Sequence, residues 1–181
     1  MNSEIISKGI DTSVQSLGVP TIDSPLFATS RCVEEHERVI IDTSLAALDA
    51  CLRGKREIPS FERAGPRKKI FFDPSKTKCC IVTCGGLCPG INDVIRGIVH
   101  ELYYMYGVEN IYGVPYGLQG FIPRYRHSFI DLTPSFVENI HGLGGTVLGS
   151  SRGSQDIGEI VDAIERVNLN IVFFIGGDGT L

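Results

Sequence analysis

Three glycine-containing segments of this sequence have the composition of loops that bind phosphate. They are loop 1 (residues 85–90), loop 2 (residues 149–154) and loop 3 (residues 176–180). Glycine lets backbone N–H groups approach the oxygens of an anion, and a helix that begins behind such a loop adds its partial positive charge. The combination of three such loops in one chain favours phosphate chemistry more strongly than any one of them alone.

Loop 3 carries a single carboxylate, Asp178, directly after an apolar segment. A carboxylate at the end of a strand is suited to Mg²⁺, which takes one or two carboxylates together with phosphate oxygens. The alternative is that Asp178 caps a following helix. Loop 3 therefore predicts either a Mg²⁺ ligand beside a nucleotide or an ordinary helix cap.

Loops 1 and 2 each leave two interpretations open. Loop 1 is followed by Ile91 and Asn92, where a P-loop has lysine and a hydroxyl residue, and it does not fit the dinucleotide pattern GxGxxG. It is therefore either a phosphate-binding loop or a tight packing turn. In loop 2 the planar guanidinium of Arg152 is suited to a phosphate, or it is a solvated surface charge.

The apolar pattern predicts the elements that position these loops. Strands are expected at residues 80–84, 110–115, 129–132, 146–148 and 171–175, and helices at 91–102, 134–141 and 157–167, the last capped by Ser154 or Asp156. The strand at 171–175 is apolar throughout, which is typical of a strand covered on both faces. We predict an α/β fold with an open, doubly wound, mostly parallel sheet that is incomplete at the C-terminus. In such sheets ligands bind beyond the carboxyl ends of the strands.

The chain divides into three predicted regions. Residues 1–30 are rich in serine and threonine and are expected to form a flexible N-terminal arm. Residues 31–78 are expected to form an extension and connector, with an ordered loop at 61–67. A helical face in this region is predicted from Val39, Ile40, Ile41, Leu45, Leu48 and Leu52. Residues 79–181 form the first part of the α/β domain.

Composition and charge exclude several classes of protein. The net charge of −4 argues against a nucleic-acid partner, and no apolar run reaches the length of about 20 residues that crosses a membrane. The six cysteines contain no CxxC pair and have no histidine at ligand spacing, which favours free thiols in a reducing compartment. The first 30 residues lack a signal-peptide pattern and contain three acidic residues, so a cytoplasmic location is favoured over a plastid.

Residues 81–96, with the sequence IVTCGGLCPGINDVIR, resemble the opening of the phosphofructokinases, most closely the plant ATP-dependent branch. Residues 61–67 and 144–153 are similar to the same branch, and the resemblance covers about residues 20–181. The segment GGDGT in loop 3 also resembles NAD kinases and lipid kinases. Residues 81–96 give those two families no support.

The resemblance implies roles for particular residues. ATP would be bound by Gly86, Arg152, Gly153, Gly177, Asp178, Gly179 and Thr180, and Asp178 would also bind Mg²⁺. A glycine at position 179 implies ATP as donor, because pyrophosphate-using relatives usually carry an aspartate there. Arg96 matches a position that serves the effector site in bacterial relatives.

The implied reaction is the glycolytic transfer of the ATP γ-phosphoryl group to fructose 6-phosphate, by an allosteric enzyme that forms a homo-oligomer, by resemblance a tetramer. The catalytic carboxylate of the family belongs to a Thr-x-Asp motif that follows GGDG and is not in this sequence. No catalytic residue is therefore assigned, and the 181-residue chain alone is expected to be inactive. The alternatives are a non-catalytic nucleotide-binding subunit and a pyrophosphate-dependent relative.

Overall fold

The computed structural model describes residues 11–28, 32–177 and 180. Asp178 and Gly179, and residues 1–10 and 29–30 of the predicted arm, lie outside the described residues. The chain forms two compact units, Met1–Phe71 and Phe72–Leu181. No described helix has both the length and the apolar character needed to cross a lipid bilayer.

In its described residues, 11–28 and 32–71, the first unit contains short paired strands and one α-helix. Strand β1 (Ile22–Asp23) pairs antiparallel with β4 (Lys69–Ile70), and β2 (Arg38–Ile40) pairs antiparallel with β3 (Ser60–Glu62). Helix α1 (Leu45–Arg53) begins at Ser44, whose side chain accepts a hydrogen bond from the Ala47 backbone N–H. A single 3₁₀ turn covers Pro25–Ala28.

Two predictions for this unit are wrong at particular residues, although a helix does cover Leu45–Arg53 and residues 63–67 lie outside helices and strands. Val39 and Ile40 lie in strand β2 rather than on a helical face, because β-branched residues favour extended backbone and the helix starts only at its serine cap. Leu45 and Leu52 are exposed, and α1 buries Ala47 and Cys51 instead. Phe61 also belongs to strand β3 and not to a loop.

The second unit is built on a four-stranded sheet with the order β7-β6-β5-β8. The strands are β5 (Lys78–Thr83), β6 (Asn110–Val114), β7 (Ile130–Asp131) and β8 (Ile171–Ile175). Strand β5 pairs in parallel with β6 and with β8, while β7 is antiparallel to β6. This confirms the predicted mostly parallel sheet and four of its five predicted strands.

The predicted strand at residues 146–148 is wrong. Val147 and Leu148 form a turn, because side chains satisfy their backbone N–H groups in place of a neighbouring strand. The Val147 N–H donates to Asn92 Oδ1 at 2.9 Å, and the Leu148 N–H donates to Thr146 Oγ1 at 3.2 Å. The apolar alternation of this segment reflects burial of Leu148 rather than strand pairing.

Helices lie on both faces of the sheet. They are α2 (Ile91–His100), which continues as a π-helical segment (Glu101–Tyr106), α3 (Pro134–Val137) and α4 (Ile157–Val167). Three 3₁₀ turns cover Gly117–Phe121, Pro123–Tyr125 and Ile140–Gly142. Helix α4 begins at Asp156, whose carboxylate accepts from the Glu159 N–H at 2.9 Å. The helix predicted at 134–141 is shorter than expected, since it ends at Val137. Of the two predicted caps of the last helix, the structure has Asp156.

Each face of the sheet has its own apolar core. One core contains Cys79, Ile81 and Ile95 of α2, and the other contains Cys80, Val82 and Ala163 of α4. The adjacent cysteines thus point to opposite faces of the sheet, because successive side chains of a strand alternate between its two faces. The sequence predicts that both faces of β8 are covered by other elements. This expectation is wrong at Phe174, which lies on the same face of the strand as Val172 and is 45% exposed.

Candidate functional site

Loop 1 begins where the buried strand β5 ends. Gly85 and Gly90 have positive φ angles of 78° and 90°, a conformation that side chains with a Cβ rarely adopt. Gly90 is the N-cap of α2 and provides no side-chain cap, so the first N–H groups of this helix have no side-chain partner at that position. Loop 1 therefore presents backbone donors at the carboxyl edge of the sheet.

Loop 2 is in direct contact with loop 1. Ser150 Oγ donates a hydrogen bond to the Gly85 carbonyl at 2.6 Å. Thr83 Oγ1, at the end of β5, donates to the Gly149 carbonyl at 2.7 Å. A Cβ placed on Gly117 would lie 3.0 Å from Ser151 Oγ, so the turn after β6 also packs closely against loop 2.

Loop 3 reaches the same place from the neighbouring strand. The Cys84 N–H donates to the Ile175 carbonyl at 2.8 Å, which aligns the ends of β5 and β8. A Cβ placed on Gly85 would be 3.9 Å from Thr180 Oγ1. Within loop 3, the Thr180 N–H donates to the Gly177 carbonyl at 2.8 Å, and a Cβ on Gly176 would collide with the Thr180 side chain. The described residues of all three loops thus meet at one rim.

The predicted site residues occupy this rim in different ways. Gly86 and Gly177 are exposed, with no atom within 4 Å of a hypothetical Cβ on either residue. Arg152 and Gly153 are exposed, and Arg152 makes no hydrogen bond or ion pair with any residue that the structure describes. Thr180 is half-buried. The two remaining predicted residues, at positions 178 and 179, lie outside the described part of the chain.

Arg96 lies away from these contacts. Its Nε donates to the Glu138 carbonyl at 3.3 Å, which joins α2 to the residue after α3. A cleft of about 410 Å³ also lies elsewhere in the second unit, lined by residues that include Tyr112, Phe129 and Arg166. None of the residues that line this cleft belongs to the three loops.

The cysteines are free thiols throughout the described chain. Burial raises the pKa of Cys79 to about 11 and that of Cys80 to about 12. Burial also raises the pKa of Cys84, the residue directly before loop 1. These three thiols are therefore protonated at neutral pH, and they are not nucleophiles or metal ligands in this form. Among the described residues, no three histidine, cysteine, aspartate or glutamate side chains group together as a metal site.

Thr83 and Asn92 were not indicated by the sequence patterns as site residues. Both are polar and almost completely buried, at 1% and 2% exposure. Asn92 Nδ2 donates to the Leu143 carbonyl at 3.0 Å, and Asn92 Oδ1 accepts from Val147. The signal that could have indicated them is a polar residue in an otherwise apolar segment, the end of a strand for Thr83 and a helix face for Asn92. A buried polar side chain requires a hydrogen-bond partner.

Comparison with known proteins gives consistent matches. The phosphofructokinase family model matches residues 78–181. The ATP-dependent 6-phosphofructokinase of Borreliella burgdorferi is 58% identical over 183 residues, which cover 97% of this chain and 40% of that protein. The corresponding protein of Amycolatopsis methanolica is 45% identical, and the match covers 93% of this chain and 38% of that protein. ATP-dependent 6-phosphofructokinase 7 of Arabidopsis thaliana is 51% identical over 120 residues, which cover 66% of this chain and 24% of that protein.

The fold has a counterpart among solved structures. Pichia pastoris phosphofructokinase in the T-state superposes with a TM-score of 0.51 at 22% identity, covering 68% of this chain and 14% of that one. This likeness concerns the fold alone. The chain spans about two fifths of the length of the two curated relatives that it matches over most of its own length.

Proposed function

The chain belongs to the phosphofructokinase family, and from that premise we propose that it forms the nucleotide-binding part of an ATP-dependent 6-phosphofructokinase. The observation that carries this proposal is the convergence of three glycine-containing loops at the carboxyl ends of β5 and β8. The direct hydrogen bond from Ser150 Oγ to the Gly85 carbonyl supports it in particular. Open parallel sheets bind their ligands at this edge.

The proposed reaction transfers one phosphoryl group. The 1-hydroxyl oxygen of fructose 6-phosphate bonds to the γ-phosphorus of ATP, the bond between that phosphorus and the bridging oxygen breaks, and ADP leaves. The hydroxyl proton passes to a carboxylate, which the family resemblance assigns to a Thr-x-Asp motif that is not among these 181 residues. Catalysis of this kind depends mainly on positioning and on neutralising the charge of the phosphates. Positioning and neutralisation are the roles that we assign to the three loops.

Each predicted residue has a physical role in this scheme. Gly86 and Gly153 let backbone N–H groups approach the phosphate oxygens. The guanidinium of Arg152, which has no partner among the residues that the structure describes, neutralises their charge. Gly177 and Thr180 place the backbone and a hydroxyl of loop 3 beside the same phosphates. Gly179, which has no side chain, leaves room for the nucleoside part of ATP and so favours ATP over pyrophosphate.

Magnesium suits the residues of these loops. The described positions of the three loops contain no carboxylate or imidazole, only glycine, hydroxyl, thiol, apolar and arginine residues. A single carboxylate, that of Asp178, is thus available, and Mg²⁺ commonly takes one or two carboxylates with phosphate oxygens and waters. When bound there, the ion would supply charge neutralisation to the phosphates.

We propose a cytoplasmic, allosteric homo-oligomer, by resemblance a tetramer, that takes part in glycolysis. Two of the matched Arabidopsis proteins are named chloroplastic. Residues 1–30 of this chain contain Glu4, Asp11 and Asp23, and transit peptides are poor in acidic residues. The cytoplasm is therefore the favoured location.

A chimeric enzyme tests the proposed function. Residues 1–181 would replace the matching segment of the Borreliella protein, with which they are 58% identical. The chimera is expected to phosphorylate fructose 6-phosphate with MgATP at a rate within about tenfold of the parent, a barrier change of about 1.4 kcal/mol. The measurement is a coupled ADP-release assay with both proteins. A chimera that folds like the parent but does not use ATP, or uses only pyrophosphate, would refute the proposal.

A further inference from the structure

We infer that Thr83 and Asn92 are positioning residues of the nucleotide site, which hold loop 2 in register with loop 1. Neither belongs to the residues proposed to bind the nucleotide. Both are buried polar side chains that hydrogen-bond to residues in loop 2 or in the segment 143–147 that leads into it. The inference deepens the proposed function and rests on it, because the position of loop 2 matters only if that loop binds phosphate.

Thr83 connects the end of β5 to loop 2 through a directed chain of hydrogen bonds. Its hydroxyl proton is donated to the Gly149 carbonyl at 2.7 Å. Thr146 Oγ1 lies 3.1 Å from Thr83 Oγ1 and is consequently the donor of that bond, since a hydroxyl has one proton. Thr146 Oγ1 in turn accepts from the Leu148 N–H. Loss of the Thr83 hydroxyl would leave the Gly149 carbonyl without this partner.

Asn92 fixes the segment that enters loop 2. It lies in the first turn of α2, directly behind loop 1, and its carboxamide uses both ends. Its nitrogen donates to the Leu143 carbonyl and its oxygen accepts from the Val147 N–H, at 3.0 and 2.9 Å. A leucine at this position has nearly the same size, adds no charge and removes both the donor and the acceptor of these bonds.

Loop 2 depends on these bonds because its glycines allow its own backbone to adopt many conformations. Gly149 and Gly153 both have positive φ angles, and the exposed Arg152 between them has no partner among the described residues. Only Ser150 gives a side-chain bond from loop 2 to loop 1 among the bonds described. A binding group must be held close to its productive position by surrounding contacts, and misplacement weakens binding. The expected effect of losing Thr83 is therefore weaker nucleotide binding.

The matched control is Thr77, which directly precedes the other end of strand β5. Thr77 is also buried, at 3% exposure, and its Oγ1 donates to the Asp73 carbonyl at 2.7 Å. Thr77→Val and Thr83→Val thus remove the same group and the same kind of bond, one far from the loops along β5 and one beside them. Thr83→Ser keeps the hydroxyl and is the rescue variant.

The affinity of the 181-residue chain for MgATP is measured by calorimetry. Thr83→Val is expected to raise the dissociation constant about tenfold, while Thr83→Ser and Thr77→Val bind as the wild type does. Asn92→Leu is expected to weaken binding as Thr83→Val does, and it carries the test alone if Thr83→Val does not fold. If Thr83→Val binds MgATP as tightly as Thr77→Val does, the inference is overturned. Where Thr83→Val does not fold, the same result for Asn92→Leu overturns it.

Amide hydrogen exchange without nucleotide separates this inference from the proposed function. Thr83→Val is expected to accelerate exchange at residues 146–151 relative to Thr77→Val. Unchanged exchange there would overturn the claim that Thr83 holds loop 2. A wild-type chain that fails to bind MgATP would instead refute the proposed function and with it the nucleotide role of Thr83, while the exchange result still decides whether Thr83 holds loop 2.

Discussion

Replacement of Asp178 by asparagine is expected to lower the turnover of MgATP by the chimeric enzyme about a thousandfold, because phosphoryl transfer depends on neutralising the charge of the phosphates. Asparagine has nearly the same shape as aspartate but no charge, so it removes the only carboxylate of the three loops. The measurement is kcat and KM for ATP at saturating fructose 6-phosphate. Raising the Mg²⁺ concentration is expected to recover part of the lost activity if the carboxylate acts through the metal.

Asp156→Asn is the matched control for this variant. Asp156 caps α4 through its bond to the Glu159 N–H, and asparagine caps helices about as well as aspartate. It therefore removes a carboxylate from the same unit without removing a proposed ligand, and activity should stay at the level of the unmodified chimera. Equal activities of the Asp178→Asn and Asp156→Asn enzymes would reject the metal-binding role of Asp178.

Replacement of Gly179 by aspartate is expected to lower kcat/KM for ATP about a hundredfold, since a like charge placed against the phosphates costs several kcal/mol. The new side chain would stand next to Asp178 in loop 3 and would also occupy space proposed for the nucleoside part of ATP. Pyrophosphate has no nucleoside, so its use should be impaired less than that of ATP. The assay compares the two donors with the same chimeric protein.

Gly179→Asn separates size from charge. It adds nearly the same volume without a negative charge, and we expect a loss of ATP use of about tenfold, smaller than the loss for aspartate. Undiminished ATP use by the Gly179→Asp enzyme would show that this position does not decide the donor.

The sheet could be predicted because its signals are local. Strands β5 and β8 are short apolar runs bounded by polar residues or glycine, and α4 has apolar residues at helical spacing after a capping aspartate. The meeting of loop 1 with loop 3 follows from the topology, because the carboxyl ends of adjacent parallel strands lie at one edge. These features need no knowledge of distant contacts.

The errors concern segments whose structure is set by residues far away in the chain. Residues 146–148 have an extended apolar pattern, but the Val147 N–H is satisfied by Asn92, 55 positions earlier. Val39 and Ile40 extend a helical spacing, yet they pair with Phe61 and Ser60, respectively, on a strand that follows helix α1 in the chain. The bond between Ser150 and Gly85 joins positions 65 apart, and no pattern in either loop indicates it. Long-range polar contacts of this kind have no periodic signature.

The central claim is that three loops bind one Mg-nucleotide together, and amide NMR of the labelled chain during an MgATP titration tests it most directly. We expect saturable shifts that concentrate in residues 85–90, 149–154 and 176–180, with smaller shifts when Mg²⁺ is omitted. Shifts confined to one of these loops, shifts centred on the cleft beside Tyr112 and Arg166, or no saturable shifts at all would contradict the claim.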